Sequence, residues 1–221
     1  EIYTLSLHDA LPISSWVSNA CISGAAAQVV ALRYINNGLF DNVVVVGVDF
    51  LSKFIISGFQ SFRALATDVC KPFDAERCGL NLGEAAATII FGKDTDDKPA
   101  QARLICGAIR NDATHISAPS RTGEGCCRAI RNVLCGVQPT ADDIAFICAH
   151  GTATPYNDAM EANAIYRAGL GSVVVNSLKS LFGHTLGAAG VLETIVSVEA
   201  LDRGIASWRS EERRVGKECR S

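Results

Sequence analysis

The residue with the clearest chemical potential is Cys21, which stands at a turn directly before a run of small and apolar residues. This pattern predicts a cysteine at the N-terminus of a buried helix, where unpaired N–H groups and the helix dipole favour a thiolate. A thiolate can attack an acyl group and hold it covalently. The alternative is a buried cysteine that acts only as a small hydrophobic residue.

Two histidines and a lysine follow predicted strands much later in the chain. His150 lies where an apolar run passes into a Gly-Thr-Ala-Thr-Pro loop, and Lys179 and His184 precede a segment rich in glycine and alanine. Strand ends are where α/β folds place reactive groups. Cys21, His150 and His184 could also ligate zinc, but no close pair such as CxxC or HxxxH accompanies them.

The elements that would position these residues alternate between helix and strand. Apolar β-branched runs predict buried strands, and small or apolar residues at helical spacing predict helices. The segment 102–109 is expected to pair antiparallel with the strand before it. Together they indicate a layered α/β protein. The predicted helices cover 24–36, 122–134, 158–168 and 186–201, and the predicted strands cover 43–48, 83–91, 102–109, 144–148 and 173–176.

Composition excludes several classes of protein. The net charge of −3 gives no electrostatic reason to expect nucleic acid or a membrane surface as partner, and no apolar run could span a bilayer. The nine cysteines are irregularly spaced, which favours free thiols in a reducing compartment over a disulfide framework. We therefore expect a cytoplasmic location.

The two ends fit neither the composition nor the periodicity of the rest. Residues 1–14 and 209–221 resemble translated sequencing-adapter DNA and are predicted to be non-native, the alternative at the C-terminus being a natural basic tail. Translated adapter sequence carries no information about the fold of the protein that it flanks. The remaining 15–208 is expected to be cut from a longer protein.

Four blocks of residues resemble, in order, those of the elongating β-ketoacyl-[acyl-carrier-protein] synthases of the thiolase superfamily. Initiating synthases use Cys-His-Asn and thiolases use a second cysteine, and the Cys21, His150 and His184 pattern disfavours both. The blocks are 19–24; 72–79 with Gly83-Glu84; 149–155 with Asp158 and Glu161; and Lys179-Ser180 with Gly183-His184 and 187–190.

The resemblance implies an incomplete thiolase-like fold with α-β-α-β-α layers. It divides the chain into 15–110, the nucleophile-containing end of the N-terminal half, and 111–208, a truncated C-terminal half. An N-terminal section and a C-terminal glycine-rich gating loop would be missing. We therefore expect the 221-residue chain itself to be inactive.

The resemblance also implies roles for individual residues. Cys21 would carry the acyl chain, His150 and His184 would stabilise the enolate formed from a malonyl thioester, and Lys179 would tune the histidines. No metal or cofactor is expected, since the substrates travel on the phosphopantetheine of an acyl carrier protein. Further implied residues are the supporting Asp158 and Glu161, the buried Glu193, and the entrance residues His115 and Arg63. Asp158 and Glu161 lie one helical turn apart, which allows them to pair with Lys179; the alternative is a solvated helix N-terminus.

The implied partners are acyl carrier protein, acyl and malonyl thioesters, and a second subunit. That subunit would form a homodimer or a heterodimer of synthase and chain-length factor. Two other functions remain open: a catalytically silent, chain-length-factor-like partner with the same fold, and a zinc-binding structural domain.

Overall fold

The computed structural model describes residues 14–93, 100–115 and 118–205. The terminal segments predicted to be non-native lie outside them, apart from Ser14. The helices are α1 (Ser23–Asn36), α2 (Lys53–Ser61), α3 (Glu124–Val137), α4 (Pro155–Arg167), α5 (Lys179–Phe182) and α6 (Ala189–Asp202), with 3-10 turns at Ala141–Asp143 and Leu186–Ala188. The strands are β1 (Asn42–Asp49), β2 (Ala85–Gly92), β3 (Ile147–Cys148) and β4 (Val175–Asn176).

The first sheet pairs β1 with β2 antiparallel, with Val45 opposite Ile89. One face of this sheet packs on α1 and α6 through a core of Ala31, Val45, Ala87 and Val191. Small residues allow the layers to approach closely: a Cβ added at Gly47 would lie 2.8 Å from the Val191 side chain. The helix that begins after Cys21 is therefore held against this sheet.

The second sheet pairs β3 with β4 in parallel, with Cys148 opposite Asn176. Its core includes Ile165 of α4, and Ile130 and Leu134 of α3 pack against the same cluster. Helix α6 also reaches this half, because Val196 and Ala200 line a small cavity together with Phe146 and Asn176. The order of layers is sheet, helices, sheet, helices, which confirms the α/β prediction.

The outer face of the first sheet differs from the sequence prediction. The segment 43–48 was expected to be buried on both faces, but Val44, Val46 and Val48 are 58–59% exposed. The run is uniformly apolar, so its sequence carries no sign of which face packs against a helix. Within the described residues only one face of the sheet is covered.

Other elements also depart from the predictions. The segment 102–109 forms no strand, so the prediction that it pairs antiparallel with β2 is wrong. It passes over α1 instead, because a Cβ added at Gly107 would lie 2.5 Å from the side chain of Val29. The segment 50–68, for which the sequence predicts an irregular path with short helical turns, contains the nine-residue helix α2. The strands β3 and β4 are shorter than predicted. In the described parts of the chain, no helix is long and apolar enough to cross a membrane.

Candidate active site

Cys21 lies at a sharp turn immediately before α1. Ala20 adopts a left-handed conformation (φ 46°), which is unusual for a residue with a Cβ. Ser23 holds this turn: its hydroxyl accepts the Asn19 N–H at 2.7 Å and donates to the Ala20 carbonyl at 2.6 Å. The thiol is thus fixed by the first turn of the helix, as the sequence predicted.

The loop after β3 presents His150. Both oxygens of the Glu161 carboxylate accept backbone N–H groups from this loop, from His150 at 2.7 Å and from Gly151 at 2.8 Å. Gly151 is required here, because its φ is +43° and a Cβ would lie 2.5 Å from Ser177. Glu161 therefore positions the imidazole through the backbone.

His184 lies in an extended connection between α5 and the 186–188 turn, and not at the start of a helix. Its N–H donates to the Asn81 carbonyl at 2.7 Å, and its carbonyl accepts the Gly83 N–H at 3.0 Å. The side chain is only 1% exposed, and its Nδ1 has no hydrogen-bond partner among the described residues. The loop that contains Gly83 thus fixes the second histidine.

These three side chains come together although they are far apart in sequence. The Cys21 sulfur and one ring nitrogen from each of His150 and His184 lie within 4.8 Å of one another. The two imidazole rings meet edge to face, with centroids 5.1 Å apart and planes at 84°. Phe59 of α2 packs edge-on against His184 at 6.5 Å.

Lys179 is buried behind this cluster and forms an ion pair with Glu193. Its Nζ lies 2.6 Å from Glu193 Oε1, and the side-chain exposures are 0% and 17%. A buried charge needs such a partner, and Glu193 supplies it. The pair joins the start of α5 to α6.

Asp158 and Glu161 do not pair with Lys179, so that expectation is wrong. The Asp158 carboxylate accepts the Phe73 N–H at 2.7 Å and the Ala153 N–H at 3.0 Å, while Glu161 binds the His150 loop. Both carboxylates are occupied by backbone donors near the start of α4, and Lys179 acts on Glu161 only through space. They brace loops instead of neutralising the lysine.

The electrostatics correct the prediction of a resting thiolate. Burial raises the pKa of the Cys21 thiol, and Asp49 adds to the rise; the Lys179 charge and the backbone N–H of Cys21 lower it by less. Desolvation of the charged form therefore outweighs the benefit of the helix N-terminus. At neutral pH Cys21 is a thiol.

Both histidines are neutral. Burial, followed by the Lys179 charge, lowers the pKa of His184 to about 3, and the same causes with His184 added lower the pKa of His150 well below its usual value. A neutral imidazole has one N–H to donate and one nitrogen to accept a proton. The cluster can therefore both accept the thiol proton and donate to an oxyanion.

Asp49 and Phe59 belong to the site but were not identified from sequence as members of it. Asp49 ends β1, accepts the Gly187 N–H at 3.0 Å and raises the pKa of Cys21. The resemblance places 59–63 where the family builds its substrate-tunnel and entrance surface, but it does not identify Phe59 as a neighbour of His184. An acidic residue ending a predicted strand was the available signal for Asp49.

The two predicted entrance residues lie on the surface. Arg63 is exposed in the turn that follows α2, where its φ is 51°. His115 is exposed in the loop before α3 and is not a member of the Cys21 cluster. Their entrance roles stay predictions.

Comparison with known proteins gives consistent matches over most of the chain. The model for the β-ketoacyl synthase N-terminal domain matches residues 13–96, and that for the C-terminal domain matches residues 102–208. The chain is 33% identical over 204 residues to the mitochondrial 3-oxoacyl-[acyl-carrier-protein] synthase of Arabidopsis thaliana, and 34% identical over 205 residues to 3-oxoacyl-[acyl-carrier-protein] synthase 2 of Rhizobium meliloti. These alignments cover 85% and 86% of the chain but 44% and 48% of the relatives, so the chain spans about half their length.

Solved structures show the same likeness. A ketosynthase in complex with its chain length factor from Xenorhabdus doucetiae has a TM-score of 0.78 and 36% identity, covering 85% of this chain and 46% of that one. A type II polyketide ketosynthase in complex with its acyl carrier protein has a TM-score of 0.78 and 26% identity, covering 84% and 49%. These neighbours confirm that the layered α/β arrangement is that of the thiolase-like ketosynthases.

Proposed function

Because the chain belongs to the β-ketoacyl synthase family, we propose that Cys21, His150 and His184 catalyse a decarboxylative Claisen condensation between an acyl group and malonyl-acyl carrier protein. The protein would thus be a 3-oxoacyl-[acyl-carrier-protein] synthase in fatty-acid or polyketide chain elongation. The observation that carries this proposal is the convergence of a thiol and two neutral imidazoles within 4.8 Å.

The first step transfers the acyl chain to Cys21. The thiol proton passes to a neutral imidazole as sulfur attacks the thioester carbonyl, because the thiol is protonated at rest. The Cys21 N–H is one donor available to the tetrahedral oxyanion. Collapse breaks the C–S bond to phosphopantetheine, whose sulfur takes up a proton and leaves as a free thiol.

The second step forms the carbon–carbon bond. A malonyl thioester loses CO₂, and the electron pair left behind is shared with the thioester oxygen as an enolate. N–H groups from His150 and His184 would stabilise that oxygen, and their near-perpendicular rings can approach it from two directions. The carbanion then attacks the acyl-Cys21 carbonyl, the C–S bond breaks, and the Cys21 thiolate is reprotonated.

The surrounding charges support this chemistry. Burial, with the Lys179 charge as the second cause, keeps the imidazoles neutral by lowering their pKa values. Glu193 balances Lys179, and Asp158 and Glu161 hold the loops that carry the site. His115 and Arg63 are proposed to lie at the substrate entrance. The reaction as proposed uses no metal or cofactor of its own.

Acyl carrier protein and a second subunit are part of the proposal. The polyketide ketosynthase with a similar fold binds its acyl carrier protein, and the Xenorhabdus relative pairs with a chain length factor. A homodimer or such a heterodimer is proposed for the complete protein. The free cysteines support a reducing compartment such as the cytoplasm.

The experiment that tests this proposal follows each step separately in the complete gene product. Incubation with acyl-acyl carrier protein should add one acyl group to Cys21, detected by peptide mass spectrometry and absent in Cys21→Ser. Addition of malonyl-acyl carrier protein should release CO₂ and give a 3-oxoacyl product. Cys135→Ser, at an exposed cysteine, is the matched control and should react normally.

Two results would contradict the proposal. Acylation at another cysteine would exclude Cys21 as the nucleophile. If malonyl-acyl carrier protein stays intact with both wild-type and control proteins, the protein is a silent partner of the chain-length-factor type.

A further inference from the structure

The Cys21, His150 and His184 cluster has a second chemical property, metal binding, which can be tested apart from the proposed condensation, although its inhibitory effect rests on that proposed function. A thiol and two imidazoles are the ligand types that Zn²⁺ prefers, and in catalytic zinc sites three protein ligands leave the fourth position open. All three donors lie within 4.8 Å of one another. The Nδ1 atom of the buried His184 also has no hydrogen-bond partner among the described residues.

We propose that Cys21, His150 and His184 bind one Zn²⁺ ion reversibly and that the bound ion blocks the nucleophile. Cys21 loses its proton to solvent when its sulfur bonds to the metal, and the two neutral imidazoles each donate a lone pair. The site is therefore an inhibitory site for a borderline-soft divalent cation, distinct from a structural zinc centre.

The geometry requires only side-chain movement. Zn–S bonds of about 2.3 Å and Zn–N bonds of about 2.0–2.1 Å place tetrahedral ligand atoms roughly 3.5 Å apart. The ligand atoms must therefore approach each other by up to about 1.3 Å from their present 4.8 Å limit. Rotation about the side-chain bonds of Cys21 and His150, whose side chains are only partly buried, can supply this movement.

The arrangement of the ligands argues against permanent occupancy. The three residues come from separate segments, with no chelating pair to hold the metal before the chain folds. The Lys179 ammonium repels a dication, while its partner Glu193 and the nearby Asp49 carboxylate offset that charge. We therefore expect binding that a chelator reverses and that needs the folded chain.

The first test measures protection of Cys21 from alkylation in the purified, metal-free 221-residue chain. At a free Zn²⁺ concentration ten times the apparent dissociation constant, the rate of Cys21 modification by iodoacetamide should fall about tenfold, because one site in eleven stays free. Excess EDTA should restore the rate. Cys78 and Cys135 are exposed and serve as internal controls that should not be protected.

The second test uses Co²⁺ as a spectroscopic probe. Binding should produce a sulfur-to-cobalt charge-transfer band and the visible bands of a tetrahedral ion. Both should disappear in Cys21→Ser and remain in Cys78→Ser/Cys135→Ser, with circular dichroism reporting that each variant is folded.

Three outcomes would overturn the proposal. They are equal protection of Cys21 and Cys135, a cobalt spectrum that persists in folded Cys21→Ser, and protection that survives unfolding in urea. Neither test uses carrier protein, so failure here leaves the proposed condensation standing.

Discussion

Opposing influences act on the thiol of Cys21. Its position before α1 and the charge of Lys179 favour the thiolate, while burial and Asp49 favour the thiol. Because the imidazoles are neutral, no imidazolium is present to stabilise a resting thiolate of the kind found in Cys–His proteases. The site therefore acts by proton transfer during attack.

This balance predicts the pH dependence of Cys21 alkylation. Because burial raises the pKa of Cys21 above 9.0, the thiolate fraction should rise about tenfold from pH 7 to 8 and should level off at a higher pH than in the unfolded chain. Peptide-resolved rates with iodoacetamide check this. In urea, burial is lost and the Cys21 rate should begin to level near pH 9. A plateau below pH 8 in the folded chain would show that a thiolate is stabilised at rest.

The buried Lys179–Glu193 pair predicts a stability effect. Lys179→Met leaves the Glu193 carboxylate buried without its partner and should lower the free energy of unfolding by about 3–5 kcal/mol, measured by urea denaturation at pH 7. The loss should shrink as pH falls, because burial raises the Glu193 pKa and the neutral acid needs no cation. Lys179→Met/Glu193→Leu is the control and should recover most of the stability. Equal loss in both variants would mean that packing, and not charge, is responsible.

Single residues could be predicted where a local pattern accompanied them. Cys21 precedes a small-residue helix, and His150 and His184 end apolar runs, so each stood out in sequence. Neither the partner of Lys179 nor the role of Asp49 followed, because both depend on contacts between distant segments. The thiolate was wrongly predicted because sequence shows a helix start but not the extent of burial around it.

At the scale of elements, Asp49 links the end of β1 to the turn that follows His184. Its carboxylate accepts the Gly187 N–H, and a Cβ at Gly187 would meet the same carboxylate at 3.2 Å. The end of the sheet is therefore held to the turn that follows the second histidine by one short contact.

Substitution of Asp49 separates its charge from its hydrogen bond. Asp49→Asn keeps an acceptor for Gly187 but removes the negative charge, so the Cys21 pKa should fall and alkylation at pH 8 should become faster. Asp49→Ala also removes the acceptor and should in addition lower the thermal midpoint. Unchanged alkylation in Asp49→Asn would show that this charge does not reach the thiol.

The positions of helices and strands were predicted best where the element is long and its apolar residues are regularly spaced. The long helices α1, α4 and α6 and the strand β2 lie close to their predicted positions. The segment 102–109 was mistaken for a strand because an apolar run signals burial equally well in an extended chain packed on α1. The strands β3 and β4 pair over two residues each, although the apolar runs that predicted them are longer.

At the scale of the whole molecule, the layer order could be predicted only through the resemblance to β-ketoacyl synthases. Alternation of helices and strands indicated layers, but not that α1 and α6, far apart in sequence, share one layer. Contacts of Gly190 with Ala25, where an added Cβ would lie 2.5 Å from the Ala25 backbone nitrogen, enforce that pairing. Such close approaches involve glycine and alanine, which are so common in the sequence that they do not reveal which residues they will contact.

The uncovered face of the first sheet predicts the solution behaviour of the 221-residue chain. Val44, Val46, Val48 and Ile90 place contiguous apolar surface in water, which favours association between copies. We expect the chain to elute larger than a monomer at tens of micromolar concentration, measured by size-exclusion chromatography with light scattering. Val44→Thr/Val46→Thr/Val48→Thr should shift it toward monomer with unchanged circular dichroism, because threonine keeps the β-branched shape. Val45→Thr, on the buried face of the same strand, should instead destabilise the fold without improving solubility. If the triple variant associates as strongly as the parent chain, another surface drives the association.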